Sequence, residues 1–177
     1  MDIELRNYII QPLDTKKHDA VFQLINENRP RLENYFAGTS RETETKEDAK
    51  IFCQSVESRR LKKEYFPFVI IDPTNSQYIG WIDVKNIDWS IPKAELGYFI
   101  DKSFTGKGII SEGLGLVIEH INQEFDFKKL LLRISSDNHK STQIALRNNF
   151  QLEGTIRRDY KTASGEIVDL QYYGKVF

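Results

Sequence analysis

The chain has 177 residues, with 25 lysines and arginines against 26 aspartates and glutamates, and its formal net charge at pH 7 is −1. This balance excludes an overall basic field that could hold nucleic acid, so we expect any anion to be bound locally. No stretch reaches the roughly 18 apolar residues of a membrane span, and charged residues stand where the apolar core of a signal peptide would begin. The sequence therefore predicts a cytoplasmic protein with a single domain over residues 1–177.

The cysteine and histidine content bears on disulfides and metals. Cys53 is the sole cysteine, which excludes an internal disulfide framework and suits a reducing compartment. The histidines, His18, His120 and His139, lie far apart and share no ligand spacing with Cys53. We therefore expect no metal site.

The first segment is predicted to form a strand followed by a helix. Residues 3–10 alternate between apolar and polar side chains, which predicts a strand that Pro12 ends. A helical pattern starts at Asp14 and places Val21 and Leu24 on one face.

The periodicity fades over residues 28–43, where an apolar and aromatic cluster of Leu32, Tyr35 and Phe36 stands inside a polar segment. These three residues could simply pack onto the core. Residues 45–48 then have the spacing of a capping box with aspartate in the acidic position. Apolar residues at three- and four-residue spacing follow, which predicts a second helix to about Lys63.

Two short apolar runs follow this helix. Residues 66–71 and 78–87 flank a turn-forming segment and predict an antiparallel hairpin. A second turn over residues 89–93 leads into the next strand.

The stretch from Ala94 to Glu112 is the one around which the chain is organised. Leu96, Tyr98 and Ile100 alternate with the residues between them, which predicts a strand. Glycines at positions 106 and 108 then allow a tight turn before a helix, where amide N–H groups, the helix dipole and Lys107 could hold a diphosphate or another anion. The same spacing could also form only a turn, and it matches neither the Walker motif nor the dinucleotide-binding fingerprint.

The rest of the chain completes a layered α/β pattern. A helix is predicted to end near Glu124, and residues 130–134 form a buried strand. Residues 137–141 open another helix, and strands over residues 151–160 and 166–176 close as a hairpin. The predicted order is β α α β β β α β α β β, an α/β sandwich around a mostly antiparallel sheet.

This order and three motifs resemble the GNAT N-acetyltransferases. The motifs are Ala-Glu-Leu-Gly-Tyr-Phe-Ile-Asp with Thr-Gly-Lys-Gly-Ile-Ile-Ser, Asp137-Asn-x-x-Ser141, and Ala145-Leu-Arg-Asn-Asn-Phe150. The resemblance covers nearly the whole chain and is greatest to the RimJ/RimL branch, which acetylates N-terminal amines of ribosomal proteins. It implies a GNAT fold whose central strand splays from the next strand, and it suggests a possible homodimer.

The resemblance also implies acetyl-CoA as the co-substrate. Its pyrophosphate would bind the amides of the glycine turn, and its pantetheine arm would pair with the central strand beside Asn138 and Ser141. The implied cofactor residues are Phe99, Ile100, Thr105, Gly106, Lys107, Gly108, Ile109, Ile110, Ser111, Asn138 and Ser141.

Several positions depart from the family pattern. Thr105 stands where glutamine or arginine is usual, and Ile110 fills a position that is usually small. Asn149 replaces the usual glycine, although asparagine tolerates the left-handed conformation. Ala145 stands where many GNAT enzymes carry a tyrosine general acid, so the acid would be Ser141 or no side chain at all.

Acetyl transfer to an amine needs a base, a donor to the carbonyl oxygen and an acid for the leaving sulfur. The simplest oxygen donor is a backbone N–H near Tyr98 or Phe99. A peptide α-amine has a pKa near 8, so a water-linked carboxylate suffices as base. Glu95 is the first candidate, with a solvated or ion-paired charge as the alternative role, and Asp159 is the second candidate.

The acceptor is expected to be the N-terminus of a protein, bound by Tyr35, Phe36, Arg31 and Tyr160. Arg29, Arg157 and Arg158 could pair with groups farther along such a chain. Two alternatives stay open: acetylation of a small-molecule amine such as a polyamine, an amino sugar or a drug, and a regulatory module that binds acyl-CoA without turnover.

Overall fold

The computed structural model describes residues 2–177, and in this part of the chain eight strands form one sheet with five α-helices around it. The strands are β1 (Ile3–Leu5), β2 (Tyr8–Pro12), β3 (Phe66–Asp72), β4 (Gln77–Asp88), β5 (Lys93–Ile100), β6 (Lys129–Ser135), β7 (Gln151–Lys161) and β8 (Ile167–Val176). The helices are α1 (His18–Leu32), α2 (Ala37–Arg41), α3 (Lys46–Leu61), α4 (Ile109–Phe125) and α5 (His139–Arg147).

The sheet has the order β1-β2-β3-β4-β5-β6-β8-β7, and every neighbouring pair is antiparallel except β5 and β6. Parallel strands need a crossover connection, and α4 supplies it between β5 and β6. The predicted α/β class with a mostly antiparallel sheet is confirmed.

Two apolar clusters cover the two faces of the sheet. On one face, α4 packs Leu114 and Val117 against the strands, and both side chains are fully buried. On the other face, α1 and α3 pack against Trp81, which is also fully buried. Each such aliphatic side chain stabilises the fold by about 1.5–3 kcal/mol. The alternation predicted for β5 follows from this arrangement, because Leu96 faces the first cluster and Phe99 the second.

The single first strand predicted over residues 3–10 is wrong. The chain turns back at Arg6 and Asn7, so that Leu5 pairs with Tyr8 and Ile3 with Ile10. Leu5 and Ile10 are both fully buried in the same cluster. Arg6 and Asn7 are adjacent polar residues that interrupt the period of two, and the two-residue turn that they form puts Leu5 and Tyr8 on the same face of the sheet.

The start predicted for the first helix is four residues too early. Asp14 instead forms a turn in which its carboxylate accepts a hydrogen bond from the Lys16 N–H at 3.0 Å, and α1 begins at His18. The helix continues through Pro30 to Leu32, and the short helix α2 lies inside the segment where periodicity fades.

The predicted capping box of the second helix is confirmed. The Thr45 side chain accepts from the Asp48 N–H at 3.1 Å, and the Asp48 carboxylate accepts from the Thr45 N–H at 3.0 Å. The helix that follows, α3, ends at Leu61.

The pairing of β5 with β6 is short and determines where a cleft can form. It comprises only Lys93 with Lys129, Ala94 with Leu130, and Glu95 with Leu131. Beyond this point β5 stays paired with β4, and β6 stays paired with β8. The two strands therefore diverge after Glu95, as the GNAT resemblance implied, and one edge of β5 is left without a partner strand.

Candidate functional site

The glycine turn lies at the open end of this gap, between β5 and α4. Gly106 has φ = 78° and Gly108 has φ = 76°, so both adopt the left-handed conformation that favours glycine. A Cβ at Gly106 would meet no protein atom within 4 Å. Gly108 is the N-cap of α4 and, having no side chain, caps none of its amides. The predicted strand, glycine turn and helix start are therefore confirmed.

The amides of this turn are available to a ligand. The first N–H groups of a helix lack intrahelical acceptors, and among residues 2–177 no protein atom accepts from the amides of residues 106–111. The side chains of Ile109 and Ile110 point into the core and are at least nine-tenths buried. These two residues can therefore contribute only backbone groups to a site.

Asn148, which sequence reasoning missed, fixes the start of α4. Its side-chain amide donates to the Ser111 carbonyl at 3.0 Å and to the Ile144 carbonyl at 3.0 Å, so it joins the end of α5 to the first turn of α4. Asn149 then turns the chain with φ = 62°, which confirms the left-handed conformation expected there. An asparagine in the last turn of a helix was the only sequence signal for this contact.

The predicted cofactor residues near the turn have identifiable local contacts. The Thr105 hydroxyl donates to the Lys102 carbonyl at 2.9 Å, and the Lys107 ammonium lies 4.9 Å from the centre of the Phe104 ring. Phe99 is buried against Trp81, with parallel rings 6.5 Å apart. Ile100 is buried as well, which leaves mainly its backbone to face the gap.

The two candidate bases, Glu95 and Asp159, meet at Arg133 on β6. Arg133 Nε lies 2.9 Å from Glu95 Oε2, and Arg133 Nη1 lies 3.7 Å from Asp159 Oδ2. The Nε–H is not aligned with an acceptor, so the first contact is an ion pair rather than a directed hydrogen bond. Both pairs use one carboxylate oxygen only. Sequence reasoning missed Arg133, because its role depends on the register between β5, β6 and the closing hairpin.

Other groups complete this cluster. Asn86 donates to Glu95 Oε2 at 2.8 Å, and the Tyr172 hydroxyl donates to Asp159 Oδ2 at 2.7 Å. Burial disfavours the charged guanidinium of Arg133, but Glu95 and Tyr172 together outweigh that effect, so the pKa of Arg133 is raised. Partial burial and the bond to Asp159 raise the pKa of Tyr172. Its hydroxyl therefore stays protonated and keeps donating.

Tyr98 crosses the gap to the start of α5. Its hydroxyl donates to the Ser141 carbonyl at 3.2 Å, and burial raises the pKa of Tyr98 well above its ordinary value. Asn138 caps α5, because its side chain accepts from the Ser141 N–H at 3.2 Å. Ser141 is thus held through both backbone groups, and its hydroxyl interacts with the Tyr98 phenol, which partly offsets the rise in the pKa of Tyr98. Ala145 is fully buried.

The segment around α2 and the closing hairpin lie side by side. The Ala37 N–H donates to the Tyr160 hydroxyl at 3.0 Å, and Phe36 packs edge-on against Phe99 with ring centres 5.2 Å apart. The Tyr35 hydroxyl donates to Asp137 at 3.1 Å, immediately before the α5 cap. The structure therefore brings Phe36 and Tyr160 together, but it does not confine Tyr35 to one side of the cleft.

The arginines proposed to bind the acceptor differ in how far contacts within the protein already occupy them. Arg29 donates to the carbonyls of Ser40 and Thr43, both at 2.7 Å, so its role is to hold the α2 segment. Arg31 donates to the Asn28 side chain at 3.1 Å and lies 3.4 Å from the Ile100 carbonyl. Arg157 and Arg158 are exposed in an irregular part of β7, where Arg158 has φ = 55°.

The described residues contain neither a cluster of metal ligands nor a membrane-spanning helix. No group of three or more His, Cys, Asp or Glu side chains in residues 2–177 is arranged to hold a metal ion. No helix in this range is long and apolar enough to cross a membrane.

Comparison with known proteins identifies relatives. The chain is 38% identical over 82 residues to the ribosomal-protein-serine acetyltransferase of Escherichia coli K12, a match that spans 46% of each chain. The ribosomal-protein-S5-alanine acetyltransferase of Vibrio fischeri superposes with a TM-score of 0.92 at 19% identity, over 99% of this chain and 96% of that one. A RimL ribosomal alpha-N-protein acetyltransferase in complex with coenzyme A superposes with a TM-score of 0.91 at 21% identity, over 100% and 98%.

The two structural likenesses establish the fold. The model of the acetyltransferase (GNAT) domain matches residues 7–151, which include β5, the glycine turn, α4 and α5. The chain therefore belongs to the GNAT acetyltransferase family.

Proposed function

We propose that the protein transfers an acetyl group from acetyl-CoA to the N-terminal α-amine of a protein, with ribosomal proteins as the leading substrate class. The observation that carries this proposal is the gap between β5 and β6 after Glu95. Unpaired amides lie at one end of it, and an aromatic and ion-paired wall lies beside it. The reducing compartment suited to a lone cysteine makes the cytoplasm the expected site of action.

The residues of the turn fit a diphosphate. Six successive amides, those of residues 106–111, lack protein acceptors within the described range. Gly106 has no side chain, and the space that its Cβ would occupy is open. Such amides at a helix N-terminus favour an anion through hydrogen bonds and the helix dipole. Gly106, Lys107 and Gly108 would hold the diphosphate, whereas Thr105 donates both its N–H and its hydroxyl to the Lys102 carbonyl. The free edge of β5 at Phe99 and Ile100 would hold the pantetheine arm beside Asn138.

Acetyl-CoA supplies a thioester carbonyl that an amine can attack. The chain's own groups provide the rest of the chemistry. A backbone N–H on the free edge of β5 donates to the carbonyl oxygen as negative charge develops. Glu95 Oε1 has no partner among the described residues, so it can bind a water that accepts the amine proton. The Ser141 hydroxyl, held at the start of α5, donates to the leaving sulfur.

The charges beside the cleft favour a peptide end over a polyamine. A polyamine is best bound by several unpaired carboxylates, but Glu95 and Asp159 both face the guanidinium of Arg133. Tyr35 and Tyr160 provide aromatic walls, Phe36 is largely buried behind them, and Arg31 adds positive charge. A peptide offers one amine and several carbonyl groups, which suit this mixture of side chains.

The proposal can be tested by treating a bacterial cell extract with the purified protein and isotopically labelled acetyl-CoA. Mass spectrometry should then find the label on the α-amine of one or a few proteins, with serine or alanine as first residue. Label confined to small amines would support the small-molecule alternative. Absence of label in the presence of bound acetyl-CoA would support the regulatory alternative.

A further inference from the structure

Arg6 lies in the two-residue turn between β1 and β2, outside every motif that the resemblance uses. It has φ = 54°, a conformation that arginine rarely adopts. The hairpin packs against α4, where a Cβ at Gly113 would lie only 3.2 Å from Leu5 and 3.3 Å from Ile10. The missing side chain of Gly113 therefore lets the hairpin approach the helix, and Arg6 is carried to the glycine turn.

Arg6 makes two contacts there. Its Nη1 donates to the Lys107 carbonyl at 3.0 Å, and its Nη2 lies 2.6 Å from Glu112 Oε2 in the first turn of α4. The first contact is a hydrogen bond from a charged donor to a backbone group, 101 residues away in sequence. Such bonds are stronger than those between neutral groups.

The bond to the Lys107 carbonyl also fixes the next amide. Every peptide bond of the described chain is trans, and in a trans peptide unit the C=O and the N–H point in opposite directions. Because the Lys107 carbonyl points to Arg6, the Gly108 N–H points away from Arg6. Gly108 is the N-cap of α4, and its amide is one of the six without a protein acceptor among residues 2–177.

The second contact balances charge. A glutamate in the first turn of a helix is favoured by the helix dipole, but the same carboxylate would repel a diphosphate bound at that end. Glu112 is 42% exposed, and its pairing with Arg6 offsets this repulsion.

We propose that Arg6 is a positioning residue of the diphosphate site: it orients the peptide unit between Lys107 and Gly108 and neutralises Glu112. This inference rests on the proposed binding of acetyl-CoA. It assigns to the first hairpin a role in cofactor affinity, and it separates that role from the acceptor side and from catalysis.

The test measures coenzyme A affinity by calorimetry for the wild type, Arg6→Ala, Arg6→Lys and Lys102→Ala. Arg6→Ala should weaken binding at least about tenfold, since a charged hydrogen bond and a peptide orientation are lost. Arg6→Lys keeps the charge but not the forked geometry, so it should restore only part of the affinity. Lys102→Ala removes a nearby exposed cation without touching the Lys107 carbonyl, and it should weaken binding less than threefold.

A second readout separates positioning from general destabilisation. S-acetylpantetheine lacks the diphosphate, so Arg6→Ala should reduce the preference for acetyl-CoA over S-acetylpantetheine, measured as a ratio of kcat/KM, at least fivefold. A variant that merely folds less well would lose activity with both donors and keep that ratio.

Three results would overturn the inference: Arg6→Ala affinity within twofold of wild type, full recovery in Arg6→Lys, or an unchanged donor ratio. If the wild type itself does not bind coenzyme A, the cofactor assignment in the proposed function fails first, and this inference falls with it.

Discussion

Ser141 is held in place by its backbone, with its hydroxyl beside the Tyr98 phenol. Asn138 accepts from its N–H, and Tyr98 donates to its carbonyl. This arrangement fixes the position of the hydroxyl, which can contact Tyr98 and still offer a further hydrogen-bonding site. It is the geometry expected of a side chain that must meet a leaving group.

Replacing Ser141 by alanine should therefore reduce turnover more than binding. General acids contribute about 10²- to 10⁴-fold to rates, so we expect kcat to fall at least tenfold with coenzyme A affinity unchanged within about threefold. Thr142→Ala removes a hydroxyl from the same helical turn and serves as the control. Unchanged turnover in Ser141→Ala would reduce Ser141 to a helix-start residue.

The role of Glu95 can be examined through the pH dependence of catalysis. A base is needed only while the acceptor amine is protonated, and a peptide α-amine has a pKa near 8. Glu95→Gln should lower kcat/KM at least about tenfold at pH 6.5–7, and the deficit should shrink as the pH rises above about 8.5. Asp159→Asn should have the smaller effect. A larger deficit in Asp159→Asn than in Glu95→Gln would transfer the role of base to Asp159.

At the scale of elements, the glycine turn and the first turn of α4 form one unit. The turn depends on two positive φ angles, and Asn148 holds the first helical turn through Ser111. Substitution at Gly108 has two separable effects: strain in the left-handed conformation, and obstruction of the anion site. A variant that introduces the same backbone strain away from the anion site distinguishes the two effects.

Gly108→Asp should weaken acetyl-CoA binding by at least about 2 kcal/mol, because its Cβ would lie 3.6 Å from Arg6 Nη2 and its carboxylate would add negative charge beside the diphosphate site and compete for Arg6. Gly165→Asp is the matched control: Gly165 has φ = 90° in the β7–β8 turn, and a Cβ there would meet only Lys161 at 4.0 Å. Both variants should lose thermal stability to a similar extent, but only the first should lose affinity in a calorimetric titration. If Gly108→Asp and Gly165→Asp bind acetyl-CoA with equal affinity, the diphosphate assignment is refuted.

The loop between α1 and α2 joins both sides of the cleft through Tyr35. We expect Tyr35→Ala to reduce the ratio of kcat/KM for a peptide over spermidine at least threefold, since an aromatic wall is lost. Tyr35→Phe keeps the ring and removes only the bond to Asp137, so it should retain most of that ratio. If Tyr35→Phe loses as much as Tyr35→Ala, the hydroxyl bridge rather than the ring is what matters.

For the whole molecule, sequence patterns predicted those parts that depend on local chemistry. The capping box at Thr45, the left-handed glycine turn and the turn at Asn149 all follow from residues within a few positions of one another. The hairpin at Arg6 was not predicted, because Arg-Asn lacks the glycine of the common two-residue turns and the strands on either side of it are short.

The contacts that organise the site are long-range and could not be predicted in this way. Arg133 meets Glu95 only because the strands pair in one particular register before they diverge, and Asp159 reaches the same guanidinium through an irregular strand. Arg6 and Lys107 are 101 residues apart. Nothing in the spacing of these side chains reveals that the fold brings them together.

The same long-range contacts determine the charges around the cleft, and these charges bear on which amine the protein acetylates. Both candidate bases face the guanidinium of Arg133, which disfavours a polycation and favours a chain with a single amine.

The most direct test is a comparison of acceptors with the purified protein at one concentration of acetyl-CoA. Release of the coenzyme A thiol should be measured for short peptides that begin with serine or alanine, for the same peptides with a blocked α-amine, and for spermidine. We predict that kcat/KM for the free peptides exceeds that for spermidine at least about tenfold, roughly 1.4 kcal/mol, and that blocked peptides do not react. A value for spermidine well above that of every peptide would contradict the proposed acceptor and leave only the fold and the cofactor site.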